Sequence, residues 1–280
     1  MIKVALPNKG VLFQPTLDLL ASCGYRVGKS GSQLSSLDPE NDVEFYFLRP
    51  GDIPVYVANG ILDAGITGKD FAAERGHHPE LLLDLNFGDS RLCAAVPAAS
   101  PIRSLDEVAS LRIATSFPNI VRQYFAGRDL RLIELEGAVE ISVALGIAEA
   151  VVDVVDTGNT LRQAGLRIVG QPLFVSNAAL YAHPERADQP PVRVLRSRIE
   201  GRLVALDYMM VEYDCPGTIL QRACEITPGL ESPTITQLQR EGWYSVKAMV
   251  RRKEAHRIMD ELSSIGCRGI LLTNIESARI

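Results

Sequence analysis

Residues 53–67, IPVYVANGILDAGIT, can be laid on residues 139–153, VEISVALGIAEAVVD, without a gap. Each reads as an apolar helix, a glycine, an isoleucine, one free position, an acid, an alanine, a second free position and a β-branched residue. Gly60 falls on Gly146, Ile61 on Ile147, Asp63 on Glu149 and Ala64 on Ala150. A second correspondence precedes the first in both copies. KVALPN (3–8) matches RIATSFPN (112–119), each a basic residue, a strand and a loop holding Pro-Asn. Helix–glycine–strand units recur in all α/β proteins, so a single echo could be coincidence. Two in the same order predict a pair of similar α/β lobes, with the cleft between them as the place for a small ligand.

The runs around these echoes agree with that class. IKVAL (2–6), VEFYFLR (43–49), AGITG (64–68) and LLLDLNF (81–87) read as strands, and LFQPTLDLLASCG (12–24) and DIPVYVANG (52–60) as helices stopped by glycine. AHPERADQPPVRV (182–194) is polar and rich in proline and reads as a connection. After it the rhythm changes. RLVALDYMMVEY (202–213) reads as a strand, PGTILQRACEI (216–226) as a helix, and SPTITQL (232–238) and WYSVKAMV (243–250) as strands. KEAHRIMDELSSIG (253–266) is a helix with Ala255, Ile258, Met259 and Leu262 on one face, and RGILLTNI (268–275) is a last strand. The order βαββαβ is ferredoxin-like, and about seventy to eighty residues suffice for a separate domain. Such an appendage is a regulatory or a dimerisation module.

With 280 residues the chain can bury a large core, and 46% hydrophobic with 22% charged residues is ordinary for a soluble protein. A formal net charge of −5 leaves no basic footprint for nucleic acid, so an anionic ligand must be held by local features. The five cysteines show no C-x-x-C spacing and read as reduced, buried residues. His77, His78, His183 and His256 show no metal-ligand spacing, and no Ser/His/Asp or Cys/His nucleophile is legible. MIKVALPNKG runs straight into a strand without a signal-peptide pattern, and no apolar run reaches the length of a membrane span. The reading is a cytoplasmic protein that binds neither membrane nor nucleic acid.

The chemistry concentrates in DVVDTGNTL (153–161). A β-branched strand ends in Asp153 and Asp156 beside Thr157, Gly158, Asn159 and Thr160, and a short helix closed by Gly165 follows. Backbone amides at a helix start form an anion site, Gly158 lets the ligand approach, and the hydroxyls add donors. Asp153 and Asp156 would repel a phosphate but accept hydrogen bonds from vicinal hydroxyls. Together these features describe a phosphorylated ribose. A plain βα turn capped by Asp156 or Thr157 uses the same residue types. Other strand ends supply Lys9 and Gly10 (PNKGVL), Arg49 (FLRPGD), Lys69 and Asp70 (ITGKD), and Ser90 and Arg91 (FGDSRL), where α/β proteins build their sites. LEGAVEISVALG places Glu136 at a strand end and Glu140 in a first helical turn, where acids are favoured in any case.

EISVALGIAEAVVDVVDTGNTL (140–161) resembles the signature of the ATP phosphoribosyltransferase family, with Glu140, Gly146, Ala148, Val151, Asp153, Thr157, Gly158, Thr160 and Leu161 in place. The similarity extends through PNKG, FLRPGDIP, GILDAGITG, RIATSFPN and TPGLESPT, so it runs essentially end to end and matches the long form with a regulatory domain. Many members carry an arginine after the glycine of the first loop. This chain has Val11, which shifts weight to Lys9 or Arg49.

The resemblance implies a two-lobed, periplasmic-binding-protein-like catalytic core. Residues 1–90 with 175–200 would form one lobe, 91–174 the other, and 201–280 a ferredoxin-like, ACT-like regulatory domain. It implies condensation of ATP with 5-phosphoribosyl pyrophosphate to N1-(5-phosphoribosyl)-ATP and pyrophosphate, the first step of histidine biosynthesis, with Mg²⁺ on the pyrophosphate. Glu140, Asp153, Asp156, Thr157, Gly158, Asn159 and Thr160 would bind phosphoribosyl pyrophosphate. Lys9, Gly10, Arg49, Asp70, Ser90 and Arg91 would bind ATP or pyrophosphate. Histidine would inhibit through Asp214, Leu230, Ser232 and Thr234, although Asp214 could equally cap the following helix. Dimers assembling into hexamers are implied. The rival class is a two-lobed solute-binding or effector-sensing domain, which GILDAGITG suits equally well.

Overall fold

A computed structural model describes residues 1–155 and 158–280, so Asp156 and Thr157 lie outside the described residues. The chain divides into two compact units, Met1–Ala21 with Tyr25–Arg196, and Ser22–Gly24 with Ser197–Ile280. The first unit begins β1 (Ile2–Pro7), α1 (Phe13–Ser22), β2 (Ser35–Asp38), β3 (Val43–Leu48), α2 (Ile53–Ala58), β4 (Ala64–Gly68), α3 (Lys69–Arg75) and β5 (Glu80–Asp84). It continues β6 (Ser90–Pro97), α4 (Leu105–Val108), β7 (Arg112–Thr115), α5 (Pro118–Tyr124), β8 (Arg131–Glu134), α6 (Ile141–Ala144), β9 (Ala150–Val155), α7 (Asn159–Gln163), β10 (Leu166–Ser176) and β11 (Ala178–Ala182).

Two mixed sheets result, in the orders β2-β3-β1-β4-β11-β5 and β10-β6-β9-β7-β8. In the first, β3, β1 and β4 run parallel and β11 antiparallel to β4. In the second, β8, β7 and β9 run parallel and β6 antiparallel to β9. The two sequence echoes are therefore the same βαβαβ path drawn twice, β1-β3-β4 and β7-β8-β9. The chain passes between the sheets from β5 to β6 and back from β10 to β11. There Leu85 N–H donates to Ala178 O (3.0 Å) and Ala178 N–H to Phe87 O (2.8 Å).

The physical content of each echoed position is visible. Gly60 and Gly146 end their helices at φ +67° and +71°, a left-handed conformation that favours glycine. Asp63 accepts the Lys3 amide at 2.7 Å and returns its own N–H to Lys3 O at 2.9 Å. Glu149 does the same with Arg112, at 2.9 Å in both directions. The acid of the echo thus clips the start of the first strand of its lobe, beside the strand it precedes. Burial follows the pattern: Val43, Phe45 and Phe47 alternate inward on β3, while β1, covered on both faces, buries every residue but Lys3.

The next helix, α8 (Pro190–Asp207), corrects two sequence readings. Residues 190–194 open it instead of serving as connection, because Pro190 and Pro191 sit in a first turn that needs no amide partner. Residues 202–207 continue it instead of starting a strand. Val192, Leu195, Ile199 and Ala205 are buried at helical spacing, and the Leu203–Leu206 run merely looks extended. Gly201 is tolerated in mid-helix for a packing reason: a Cβ there would lie 2.7 Å from Ala278 O, and Gly201 O accepts the Ala278 amide at 2.9 Å.

The second unit contains β12 (Tyr208–Pro216), α9 (Leu220–Ile226), β13 (Thr234–Gln237), β14 (Trp243–Arg251), α10 (Ala255–Ser264) and β15 (Arg268–Asn274). Its antiparallel sheet, β13-β14-β12-β15, has the ferredoxin-like order. Val211, Tyr213, Cys215, Val246, Ala248 and Val250 pack on Ala223, Ala255, Ile258 and Leu262 of the two helices. The helix read over 216–226 begins only at Leu220, since β12 runs through Pro216. Asp214 therefore lies inside a strand, paired with Ser245 and Arg268, and the cap position of α9 belongs to Ile219; the helix-cap alternative for Asp214 is overturned.

Candidate active site

The C-terminal ends of β1, β3 and β4 face those of β7, β8 and β9 across a cleft of about 990 Å³. Loops at these ends have no ladder to satisfy and are free to present side chains. From the first lobe come Lys9, Arg49 and Asp70; from the second, Thr115, Ser116, Glu136 and Asp153; from the crossing segments, Ser90 and Ser176. Gly10 turns the first loop at φ +82°. The Arg49 turn is braced twice, by Thr67 Oγ1 donating to Pro50 O at 2.8 Å and Arg75 Nε donating to Gly51 O at 3.0 Å. A second cavity of about 540 Å³ is lined by Val154, Gly158, Thr160 and Leu161, and shares Val11, Gly88, Ser90 and Val154 with the cleft.

Asp70 is buried at the start of α3, and its N–H donates to Ser176 Oγ at 3.0 Å while its Oδ1 accepts the Phe71 amide at 2.9 Å. Burial raises its pKa. A side chain at Gly68 would displace it, because a Cβ there would lie 2.2 Å from Asp70 Oδ1. Asp153, half-buried on β9 opposite Cys93, accepts the Val154 amide at 2.8 Å. Desolvation, with a smaller push from Glu140, lifts its pKa to about 6 against the bond from Val154, so it is largely ionised at neutral pH. Glu140 occupies the cap position of α6 without capping it. Gly158 takes φ +73° at the cap position of α7, and no side chain caps that helix.

These features, a charged two-lobed cleft and a glycine-started helix beside an acid, suit a phosphorylated sugar, and known proteins narrow the class. The ATP phosphoribosyltransferase family model matches residues 49–201, and the model for the HisG C-terminal domain matches 205–277. The curated ATP phosphoribosyltransferases of Streptomyces coelicolor and Corynebacterium efficiens are 43% and 45% identical over the whole of both chains. The chain belongs to the ATP phosphoribosyltransferase family. Among solved structures, the ATP phosphoribosyl transferase (HisG:HisZ) complex from Thermotoga maritima superposes with a TM-score of 0.62 at 26% identity, over 71% of this chain and 96% of that one. An amino acid ABC transporter substrate-binding protein superposes at 0.50 and 15% identity over 73% and 93%, which shows the shared periplasmic-binding-protein-like fold.

ATP phosphoribosyltransferases condense ATP with 5-phosphoribosyl pyrophosphate in the first step of histidine biosynthesis. Of the residues nominated from sequence, Lys9, Arg49, Asp70, Ser90 and Asp153 line the large cleft and Ser90, Gly158 and Thr160 the adjoining cavity. Asn159 accepts from Arg162 at 2.6 Å. Arg91 stands exposed on β6 opposite Val155, outside both linings, and Lys69 is ion-paired with Asp84. Asp156 and Thr157 lie outside the described residues. Asp214 and Thr234 project from one face of the C-terminal sheet, on strands either side of β14. Leu230 and Ser232 are exposed in the turn before β13, where a Cβ on Gly229 (φ +71°) would lie 3.1 Å from the Ser232 carbonyl.

Sequence reasoning passed over Thr115, Ser116 and Glu74. The first two lie in RIATSFPN, the copy of the Lys9 loop, so the echo itself was the signal. Glu74 left none, since its partners lie on the other lobe.

Proposed function

We propose that this cleft is where the family's two substrates meet and that the two lobes divide them. The second lobe holds phosphoribosyl pyrophosphate: amides and hydroxyls over 157–160 take the 5-phosphate, and Asp153, with Glu140 or Asp156, takes the ribose hydroxyls. Lys9, Gly10, Arg49, Asp70 and Ser90 hold ATP and the departing pyrophosphate; Arg91 acts at most from the rim. The observation that carries the reading is the location of Asp153, an acceptor largely ionised at neutral pH, on the cleft wall two residues from the end of β9.

Adenine N1 attacks the ribose C1 as the C1–O bond to pyrophosphate breaks, inverting that carbon. No covalent nucleophile is needed. The protein contributes orientation of the two substrates and charge placed where it develops. Magnesium, when bound, neutralises the pyrophosphate oxygens. Among the described residues no group of three His, Cys, Asp or Glu side chains is placed to hold a metal ion; an ion carried by the pyrophosphate would meet cleft carboxylates such as Asp153 and Asp70. Histidine inhibits through Asp214, Leu230, Ser232 and Thr234, and the chain works as a homo-oligomer, dimer to hexamer, in the cytoplasm. Among the described residues no helix is long and apolar enough to cross a membrane.

The test is an absorbance assay for phosphoribosyl-ATP with ATP, phosphoribosyl pyrophosphate and Mg²⁺, with and without histidine. Thr160→Val combined with Asp153→Asn should abolish turnover while the fold survives. Near-parental turnover in that variant would remove the loop from the mechanism.

A further inference from the structure

We infer that Glu74 is a positioning residue for the transfer, a carboxylate from one lobe that receives the start of helix α5 of the other and so sets the angle at which the cleft walls face each other. The inference rests on the cleft being the site of transfer.

Glu74 lies on α3 and is 9% exposed. Both its oxygens stand 3.0 Å from the Asn119 amide, and Oε2 stands 3.0 Å from the Ile120 amide. Asn119 Nδ2 returns a bond of 2.8 Å to Glu74 O. A helix usually takes its cap from the residue just before it. Here that residue is Phe117, which makes no side-chain cap, and the acceptor comes from 45 residues earlier, on a helix of the other lobe. The carboxylate answers two orphan amides and the positive end of α5. Phe71 and Phe117 meet beside it with ring centroids 5.9 Å apart.

The arrangement tolerates little change of angle. Rotating the lobes apart would leave a buried carboxylate without its donors and two amides without an acceptor, while the crossing segments would only bend. The link also reaches the cleft wall. Asn119 Oδ1 accepts from Arg122 at 3.1 Å, and Arg122 pairs with Glu134, which lines the cleft together with Glu74 and Asn119. If a bond between lobes favours the arrangement that binds, weakening it lowers apparent affinity for both substrates by the lost population and leaves the bound complex nearly as reactive.

Glu74→Gln keeps the volume and replaces one acceptor by a donor facing donors. KM for both ATP and phosphoribosyl pyrophosphate should rise about tenfold, equivalent to about 1.4 kcal/mol, with kcat within about threefold. Glu74→Gln with Asn119→Asp returns an anion to α5 from its own lobe. It should recover thermal stability but not KM. Asn119→Ala, which deletes the 2.8 Å amide bond, should raise KM about threefold. KM values within twofold of the parent in Glu74→Gln, or KM recovered together with stability in the double variant, would reduce Glu74 to a structural cap and overturn the inference. Should Glu74→Gln fail to fold, unchanged KM in Asn119→Ala and in the double variant overturns it. Thr160→Val with Asp153→Asn, assayed alongside, separates the two failures. If that pair stays active the cleft reading falls and this inference with it; if it is inactive while Glu74 variants keep their KM, the inference falls alone.

Discussion

Asp153→Asn should make the protein more stable and a much worse enzyme. The carboxyl moves from its ordinary value of 3.8 to about 6 in the fold, chiefly through desolvation. Holding such a group ionised at neutral pH costs about 3 kcal/mol. The side chain is only half-buried, so solvent takes part of that, and about 1–3 kcal/mol is the expected gain from the neutral amide, which still accepts the Val154 N–H. For a unit of this size that is roughly 2–12 °C in Tm. The sign follows from proton binding. Between about pH 4 and 6 the folded state holds a proton the unfolded state has released, so wild-type stability falls as pH rises through that window. The gap between variant and wild type should be full above about pH 6 and vanish below about pH 4.

The catalytic side runs the other way. A hydroxyl bonded to a carboxylate contributes about 1.5–3 kcal/mol and one bonded to a neutral acceptor about 0.5–1.5. Two ribose hydroxyls then lose about 2–4 kcal/mol, some 30- to 1,000-fold in kcat/KM for phosphoribosyl pyrophosphate. The wild-type kcat/KM should also fall below about pH 6 as Asp153 takes up its proton. Phosphate groups titrate near there too, so the informative quantity is the ratio of wild type to variant, which should shrink toward acid pH. Calorimetry from pH 4 to 8 and initial rates over the range in which the protein remains folded suffice. A variant less stable than wild type at pH 7, or one with unchanged kcat/KM, would refute the role given to Asp153.

Gly68→Ala puts a Cβ 2.2 Å from Asp70 Oδ1, so initial rates should show at least about a tenfold loss in kcat/KM for ATP, with any change in Tm read separately by calorimetry. Asp63→Asn weakens the bonds to the Lys3 amide and to Arg186. It should cost about 1–3 kcal/mol in urea unfolding, while KM of the folded enzyme holds. Asp214→Ala should leave rates without histidine unchanged and raise the concentration of histidine needed for half-inhibition at least about tenfold; an unchanged inhibition curve would exclude Asp214 from that site.

What could be read in advance was what local chemistry determines. AGITG is β4 to the residue, and the doubled helix–glycine–acid pattern is the doubled lobe. The failures share a cause in distance along the chain. The apolar run near residue 204 reads as a strand because the contact that admits Gly201 into a helix comes from Ala278. Glu74 looks like a solvated helix residue because its donors lie 45 and 46 positions later. Lys69 and Arg91 sit at strand ends as site residues do, yet the first is paired with Asp84 and the second stands outside the cleft lining. Asp214 followed by Cys215 and Pro216 reads as the end of a strand, but β14 pairs it through to Pro216.

On the proposed reading of the cleft, the duplication also gives a way for it to take two phosphorylated substrates. Both lobes use the same backbone path and the same acid clip, so equivalent strand ends face each other, but their charged side chains differ: the first lobe mixes Lys9, Arg49 and Arg75 with Asp52, Asp70 and Glu74, whereas the second brings acids to the lining. The loops after β1 and β3 carry Lys9 and Arg49, whereas those after β8 and β9 border on Glu134, Glu136 and Asp153. On the proposed division of the cleft, a triphosphate would be repelled from the acidic wall and met by Lys9 and Arg49 on the other. On the same proposal, a sugar with two vicinal hydroxyls would find its acceptors on the acidic wall, and its phosphate would turn to backbone amides that carry no net charge. The asymmetry would then sort two ligands that are both strongly anionic. Arg49→Glu should therefore impair ATP use far more than Thr160→Val does, and Thr160→Val should act mainly on phosphoribosyl pyrophosphate. If initial-rate measurements found each variant raising KM for both substrates alike, charge would not be what divides the cleft.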